Sequence, residues 1–346
     1  MLRQCYDHMT VFAGRSVMNR FAASRIGLAP AMVAAAFATA LPSIAPAGDF
    51  PDHPIKLIVP FGPGGPPDVS ARLIGSWLSD HLGPVVVENH VGAGGGLAAR
   101  AVADSPPDGY TLLAATAGSL AISPQLYKNP GFDPVKDFAA VAQVSSAPLV
   151  VAINPKIPVN SVKELVAYTK ANPGKLNYGA VIGTPPHMVG EMFKHITGAD
   201  IVFVPYKSAA QAAIDVLAGQ MNMTFEGTTA IVPHVKSGEV RALAVTSPKR
   251  IPEIPDVPTM DELGYLGMPP DSWQAIVAPA GTPPDVIAKL NKAVNDGLAN
   301  PQLRDKIIEL GGTPEPKSVK EFADYIPAQY KRWAEVIRIT GVKLDQ

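Results

Sequence analysis

Lys56 to Leu73, KLIVPFGPGGPPDVSARL, reads as strand, loop and helix in one stretch. Lys56 to Phe61 is a short apolar run centred on Ile58 and Val59, stopped by Pro60 and a cluster of glycine and proline, as a buried parallel strand would be. Val69, Leu73, Ile74, Trp77, Leu78 and Leu82 then recur at three- and four-residue spacing, which leaves Arg72, Ser76 and Asp80 on a wet face. Between them lies GPGGPPD. A loop at the carboxyl end of a parallel strand that opens onto a helix is where open α/β sheets hold ligands, because free N–H groups and the positive end of the helix dipole meet there. Anions suit such a place. The loop lacks the Gly-Lys-Ser/Thr ending of a P-loop and the spacing of G-x-G-x-x-G. The competing reading is a plain turn, with Pro66 and Pro67 in the first helical turn and Asp68 complementing the dipole.

Upstream, Arg20 and Arg25 precede an almost uncharged, alanine-rich run from Ile26 to Ala45, and Ala45-Pro46-Ala47 supplies a small-residue cleavage site. Residues 1–47 are expected to be a secretory signal peptide cut after Ala47. Pro30, Pro42 and Pro46 make the run a poor membrane-spanning helix. Its amino-terminal part is long, and a start at Met18 would leave residues 1–17 upstream of the true start. Cys5, the single cysteine, lies before the apolar run, so the exported part would contain no disulfide. Loss of Arg3, Arg15, Arg20, Arg25 and Asp7 leaves that part acidic by about four charges, with no basic run that would suit nucleic acid.

Downstream the pattern alternates. Val85 to Glu88 is a β-branched strand, followed by GAGGG and a small-residue helix from Leu97 to Ala103. Gly94-x-Gly96-x-x-Ala99 formally fits a relaxed dinucleotide fingerprint, but Asn89, His90 and Val91 separate it from the strand, so close packing explains it better. Thr111 to Ala115 is a strand ending in a second Gly/Ser loop, Thr116-Ala117-Gly118-Ser119, ahead of a helical stretch from Leu120 to Tyr127. Ala139 to Ile153, broken by Ser145, Ser146 and Pro148, is the crossing into a second domain. There helices are expected at 162–170, 187–196 and 209–217, and strands at 176–180, 201–204, 221–225 and 242–246. Trp273 to Ala278 is the return strand. Helices at 285–298, 302–310 and 319–339 then cover the first sheet. The boundaries that follow are 48–146 with 269–346 for domain I and 147–268 for domain II.

Enzyme signatures are sparse. No serine has the Gly-x-Ser-x-Gly flank of a hydrolase elbow, and there is no HExxH or Cys/His cluster for zinc. His187, Glu191 and His195 stand four apart on one helix and read as a solvated polar arc, with only His187, at the helix start, placed to see a cleft. Glu226 as a general base would have no identifiable partner. No cofactor and no metal is expected.

Read together, PIKLIVPFGPGG (54–65), VVVENHVGAGG (85–95), PDGYTLL (107–113), FVPYKSAAQA (203–212), RALAVTS (241–247), DVPTMDELG (256–264) and APAGTPPDVIAKLN (278–291) resemble the Bug/TctC family, the extracytoplasmic solute receptors of tripartite tricarboxylate transporters. The resemblance runs through the whole chain after residue 47. It implies an α/β, two-domain periplasmic binding protein (type II) fold, each domain a mainly parallel sheet flanked by helices, with the ligand in the cleft between them. It also implies a monomer in the periplasm that closes by hinge motion on a small carboxylate and delivers it to the transporter's membrane subunits. A carboxylate-sensing partner of a signalling system is the alternative, and an α/β enzyme a weaker one. Carried onto matching positions, the family's ligand loops fall on Phe61, Gly64, Gly65 and Asp68; on Ala117, Gly118 and Ser119; and on Gly183, Thr184 and His187, with Tyr206 and Glu226 beside them.

The departures from the family pattern concern the same loops. Pro66-Pro67 and Pro185-Pro186 stand where the family carries small donors, and Phe225-Glu226 replaces Phe-Asp. Each proline removes an N–H and adds apolar surface. The expected ligand is therefore a monocarboxylate with an apolar or aromatic body in preference to a tricarboxylate.

Overall fold

Residues 50–344 are described by the computed structural model, and the signal-peptide reading of residues 1–47 lies outside them. The opening stretch forms β1 (Ile55–Val59) and α1 (Pro66–His81), followed by β2 (Val85–Asn89), α2 (Gly96–Ala103) and β3 (Thr111–Thr116). β1 lies between β2 and β3 and is parallel to both. Its burial pattern leaves only Lys56 exposed, as expected of a strand covered on both faces. The helical stretch after β3 is wound more widely than its periodicity suggests: a π-type turn, Ala117–Ile122, precedes the short α3 (Ser123–Leu126).

The long apolar run is two strands, β4 (Phe138–Ala147) and β5 (Leu149–Ile153), separated by Pro148. Proline cannot donate to a ladder, and here the chain changes sheet: β4 belongs to the first and β5 to the second. The second sheet is completed by α4 (Val162–Ala171), β6 (Leu176–Val181), α5 (Pro185–Thr197), β7 (Ile201–Tyr206), α6 (Ala209–Ala218), β8 (Met223–Gly227), α7 (Thr228–Lys236) and β9 (Arg241–Val245). β10 (Ser272–Pro279) returns to the first sheet, followed by α8 (Pro284–Ala299), α9 (Pro301–Glu309), β11 (Thr313–Pro314) and α10 (Val319–Thr340).

The strand orders are β11-β4-β10-β3-β1-β2 and β7-β6-β8-β5-β9. Both sheets are mixed. In the first, β10 runs antiparallel to β3 and β4; in the second, β5 runs antiparallel to β8 and β9. These are the strands next to the crossings, so antiparallel pairing is what lets the chain leave one sheet and enter the other.

One core spans both sheets. Leu113 and Trp273 of the first, Val151, Tyr178 and Phe225 of the second, and Phe322 and Trp333 of α10 belong to a single buried apolar cluster. α10 bridges the seam, lying against β4 on one side and α5 on the other. The two crossings are bonded to each other through Thr246. Its hydroxyl accepts the Leu149 N–H at 2.9 Å and donates to the Pro270 carbonyl at 2.8 Å, while its own N–H donates to the Leu149 carbonyl at 2.9 Å.

Thr246 is 4 % exposed, so removal of its hydroxyl strands a buried donor and a buried acceptor. Thr246→Val is expected to lower the unfolding free energy in urea by about 1–3 kcal/mol, whereas Thr246→Ser, which keeps both bonds, should lose well under half of that.

Candidate functional site

The carboxyl ends of β1, β3, β6 and β8 face a common cleft of about 790 Å³, its open mouth included. Because β10 runs the other way, its first residues reach the same place: Gln274 pairs with Thr116 at the end of β3. The cleft therefore takes residues from both sheets and from both sides of the Pro148 crossing, where Ala147 and Leu149 line it. Phe61, Pro66 and Pro67 form one apolar wall and Val181, Pro185 and Pro186 the facing one. Polar groups are fewer: Thr116, Thr184, Lys207, Ser208, Glu226, Thr229, Ser272 and Gln274.

Four helices, α1, α5, α6 and α7, begin on this cleft, at Gly65, Thr184, Ser208 and Gly227, and none has a side-chain cap. Of the helices that begin elsewhere, α4 is capped by Ser161, α9 by Asn300 and α10 by a Ser318–Glu321 capping box, whereas α2, α3 and α8 have no side-chain cap either. The uncapped first turns leave N–H donors and positive dipole ends directed at one volume. Proline occupies the first two positions of α1 and α5, which shifts the free donors towards α6 and α7. In α7 the Thr228 N–H is already taken by the Pro148 carbonyl at 2.9 Å.

Of the residues expected from sequence, Phe61, Gly65, Thr184 and Glu226 line the cleft. Gly64 borders an adjoining, mostly apolar chamber that shares Pro66, Thr229 and Gln274 with the cleft. Asp68 is 3 % exposed and turned inwards. Its carboxylate accepts hydrogen bonds from the Gly64 N–H at 3.0 Å, from Arg72 at 2.9 and 3.0 Å and from Asn89 at 2.9 Å. Burial alone would raise its pKa; the hydrogen bonds from Arg72, Gly64 and Asn89 outweigh that and hold it below the usual carboxylate range. Asp68 thus ties the loop to its helix.

Ala117, Gly118 and Ser119 are buried behind Thr116, which takes the lining position in their place. Ser119 and Thr116 satisfy each other, each hydroxyl accepting the other's N–H at 3.0–3.1 Å. A Cβ on Gly118 would stand 3.1 Å from the Gly183 carbonyl, so loops from the two sheets run backbone against backbone. The Gly183 N–H donates to His187 Nδ1 at 3.4 Å. His187 is buried and packs against Phe203 with ring centroids 4.2 Å apart and the planes tilted by 31°, so the solvated arc expected of His187, Glu191 and His195 does not include it. Desolvation lowers its pKa to about 4, and it is neutral. Glu191 is half-buried, accepting from the Tyr178 hydroxyl at 2.7 Å and pairing with Lys194. Tyr206 donates to Asp215 at 2.6 Å, outside the cleft; burial first, then that bond, pushes its pKa to about 12.

The sequence reading passed over Ser272, Gln274 and the whole of α7. A signal existed for Ser272 and Gln274: they flank the buried Trp273 on an alternating strand and share a face. For α7 there was little, since TTAIVPHVK is β-branched at four of its first five positions and contains Pro233. Among the described residues no group of three His, Cys, Asp or Glu side chains could hold a metal ion.

Asp68→Asn is expected to lower stability by about 1.5–3 kcal/mol at pH 7, because charge-assisted bonds become neutral ones or are lost. A carboxyl whose pKa is depressed on folding contributes fully above its unfolded value, near 3.9, and loses that contribution as the pH falls through the lower folded value. Urea unfolding of both proteins should therefore show the difference shrinking below about pH 4.

Residues 70–342 match the model of the tripartite tricarboxylate transporter family receptor, TctC. BugT of Bordetella pertussis is 38 % identical over 301 residues, covering 86 % of this chain and 92 % of that protein. Among solved structures, Rpa4515 of R. palustris with adipate is 35 % identical with a TM-score of 0.82, covering 85 % of this chain and 99 % of that one. MatC of Rhodopseudomonas palustris with bound malate is 31 % identical with a TM-score of 0.79, covering 83 % and 100 %. A match across most of the chain, in sequence and in fold, places the protein: it belongs to the Bug/TctC family of tripartite tricarboxylate transporter receptors, solute-binding proteins of the two-domain periplasmic type.

Proposed function

We propose that this protein is a periplasmic receptor that captures a small carboxylate in the cleft by hinge closure and delivers it to the membrane subunits of a tripartite tricarboxylate-type transporter. The observation that carries the reading is the convergence of four uncapped helix N-termini and Lys207 on one cleft whose single acidic lining residue, Glu226, is buried. Such a site stabilises an anion with fixed donors, at little reorganisation cost. Adipate in Rpa4515 and malate in MatC are carboxylates, and they support the same class of ligand here. Among the described residues no helix is long and apolar enough to cross a membrane.

The moving parts would be domain I, 48–146 with 269–346, and domain II, 147–268, turning about Pro148 and the segment that follows Thr246. Phe61, Gly65, Thr184 and Glu226 contact the ligand, joined by Lys207, Ser208, Thr229, Ser272 and Gln274. Asp68, Ser119, Gly183, His187 and Tyr206 hold the loops in shape. The facing proline walls and the adjoining apolar chamber favour an acid with a hydrocarbon body over a tricarboxylate.

A thermal-shift screen tests this on protein stripped of ligand by unfolding and refolding. Adipate, malate, benzoate and citrate are the first panel. Saturation at 100 times the dissociation constant should add about 2.7 kcal/mol. Adipate or benzoate should outrank citrate, and citrate binding as tightly as either would remove the preference for a hydrocarbon body. Turnover of any compound in the panel, or no response to all four, would overturn the receptor reading. Lys207→Met should weaken the best ligand about tenfold or more, with unfolding of the free protein nearly unchanged.

A further inference from the structure

Two lining residues, Glu226 and Gln274, carry a buried side-chain oxygen with no hydrogen-bond partner, and of the two only Glu226 is ionisable. It occupies β8 one residue before its end, opposite Val150 of β5, and is 3 % exposed. Its Oε1 has no hydrogen-bond partner. Buried polar atoms are almost always partnered, so an unpartnered carboxyl oxygen on the lining of a ligand cleft is reserved for the ligand.

The neighbours leave it no counter-charge. On α5, His187 is neutral and takes the Gly183 N–H, and Glu191 is held by Lys194 and by Tyr178 of β6. His195, on the same helix, is exposed. On β7, Tyr206 is bonded to Asp215 of α6. β5 carries no titratable side chain, and those of α7, His234 and Lys236, are in its last turn. Lys207 lines the same cleft but makes no ion pair with Glu226. A second carboxylate cannot enter beside an ionised Glu226 without strong repulsion, because two like charges in contact at low dielectric do not both persist.

We propose that Glu226 holds the ligand as a neutral acid, its protonated carboxyl donating a hydrogen bond to one oxygen of the bound carboxylate, so that wherever Glu226 is ionised in the free protein capture takes up one proton from solvent and release returns it. The inference rests on the carboxylate reading of the cleft. Burial has already moved the free protein towards this state: desolvation pushes the Glu226 pKa up to about 7, against an opposing hydrogen bond from the Gly227 N–H. A bound anion raises it further. Capture is then strong in acid and weakens as the pH rises above the free value, because a proton must be supplied first. Receptor loading becomes a function of external pH as well as of ligand concentration.

The test is isothermal titration of whichever of adipate, malate, benzoate and citrate gives the largest thermal shift. At pH 8, heats measured in phosphate and in Tris should differ by the ionisation heat of close to one proton per ligand. Between pH 7.5 and 9 the dissociation constant should rise by a factor approaching ten per unit. Glu226→Gln, a donor at every pH, should abolish both effects and bind more tightly than the wild type at pH 9. Should that variant fail to fold, 13C titration of the wild-type carboxyls provides a second readout, with one glutamate midpoint near 7 that moves up on adding ligand. A ligand that binds with the same affinity from pH 6 to 9 and with buffer-independent heats overturns the role of Glu226 and leaves the receptor reading standing. If none of the four binds at any pH, the carboxylate reading falls and takes this inference with it.

Discussion

The first-turn N–H groups of α1, α5, α6 and α7 must find acceptors outside their own helices, and the rest of the structure is arranged around that requirement. An unmet buried donor is costly, and elsewhere in the chain Ser161, Asn300 and Ser318 meet it locally. At these four helices no side chain does. The strands that lead into these helices end together, the antiparallel β5 and β10 bring residues from the opposite direction, and the result is a volume whose walls donate and whose acidic residue is buried. The demand that would be a defect in a closed core becomes a preference for an anion when it faces a cleft.

The same residues make the cleft apolar. Two proline pairs remove donors from α1 and α5 and present their rings to the ligand, while Asp68 and His187, three positions into those helices, spend their polar atoms on the Gly64 and Gly183 N–H groups. The loops are therefore held by their own side chains, leaving the ligand fewer but fixed contacts. A preorganised site of this kind loses less entropy on binding than one whose loops must be ordered.

The two sheets are joined by one set of contacts. The cluster that includes Trp273, Phe225 and Trp333 continues from one sheet to the other, and α10 spans the seam. Thr246 bonds one crossing to the other, and Thr228 of α7 donates from the second sheet's side to the Gly311 carbonyl on the first. Under the proposed hinge motion, the bonds at the crossings would persist while the sheets turn about them, and the bond of Thr228 to Gly311, which joins the two sides, would be one that breaks. Hinge motion of this type changes a few backbone angles and leaves both sheets intact.

Much of the fold was legible in the sequence, because it is written in local physics. Periodicity located β1, α1, β6, α5 and the long C-terminal helix to within a few residues, and Pro148 marked the crossing because it cannot serve a ladder. The loops of the cleft could be named for the same reason: glycine, proline and small polar residues after an apolar strand describe a strand-to-helix turn wherever they occur. What could not be read was direction. Whether Asp68 faces a ligand or Arg72, whether His187 is wet or packed on Phe203, and whether the cleft is lined by Ser119 or by Thr116 depend on which groups arrive from segments far along the chain. Lys207, Gln274 and α7 join the site only through the pairing of strands distant in sequence, and Glu226 is starved of partners only because two sheets close over it. Local pattern determined the elements and the chemistry available to them; long-range packing, which sets burial and hydrogen-bond partners, decided which of those groups would be free to bind.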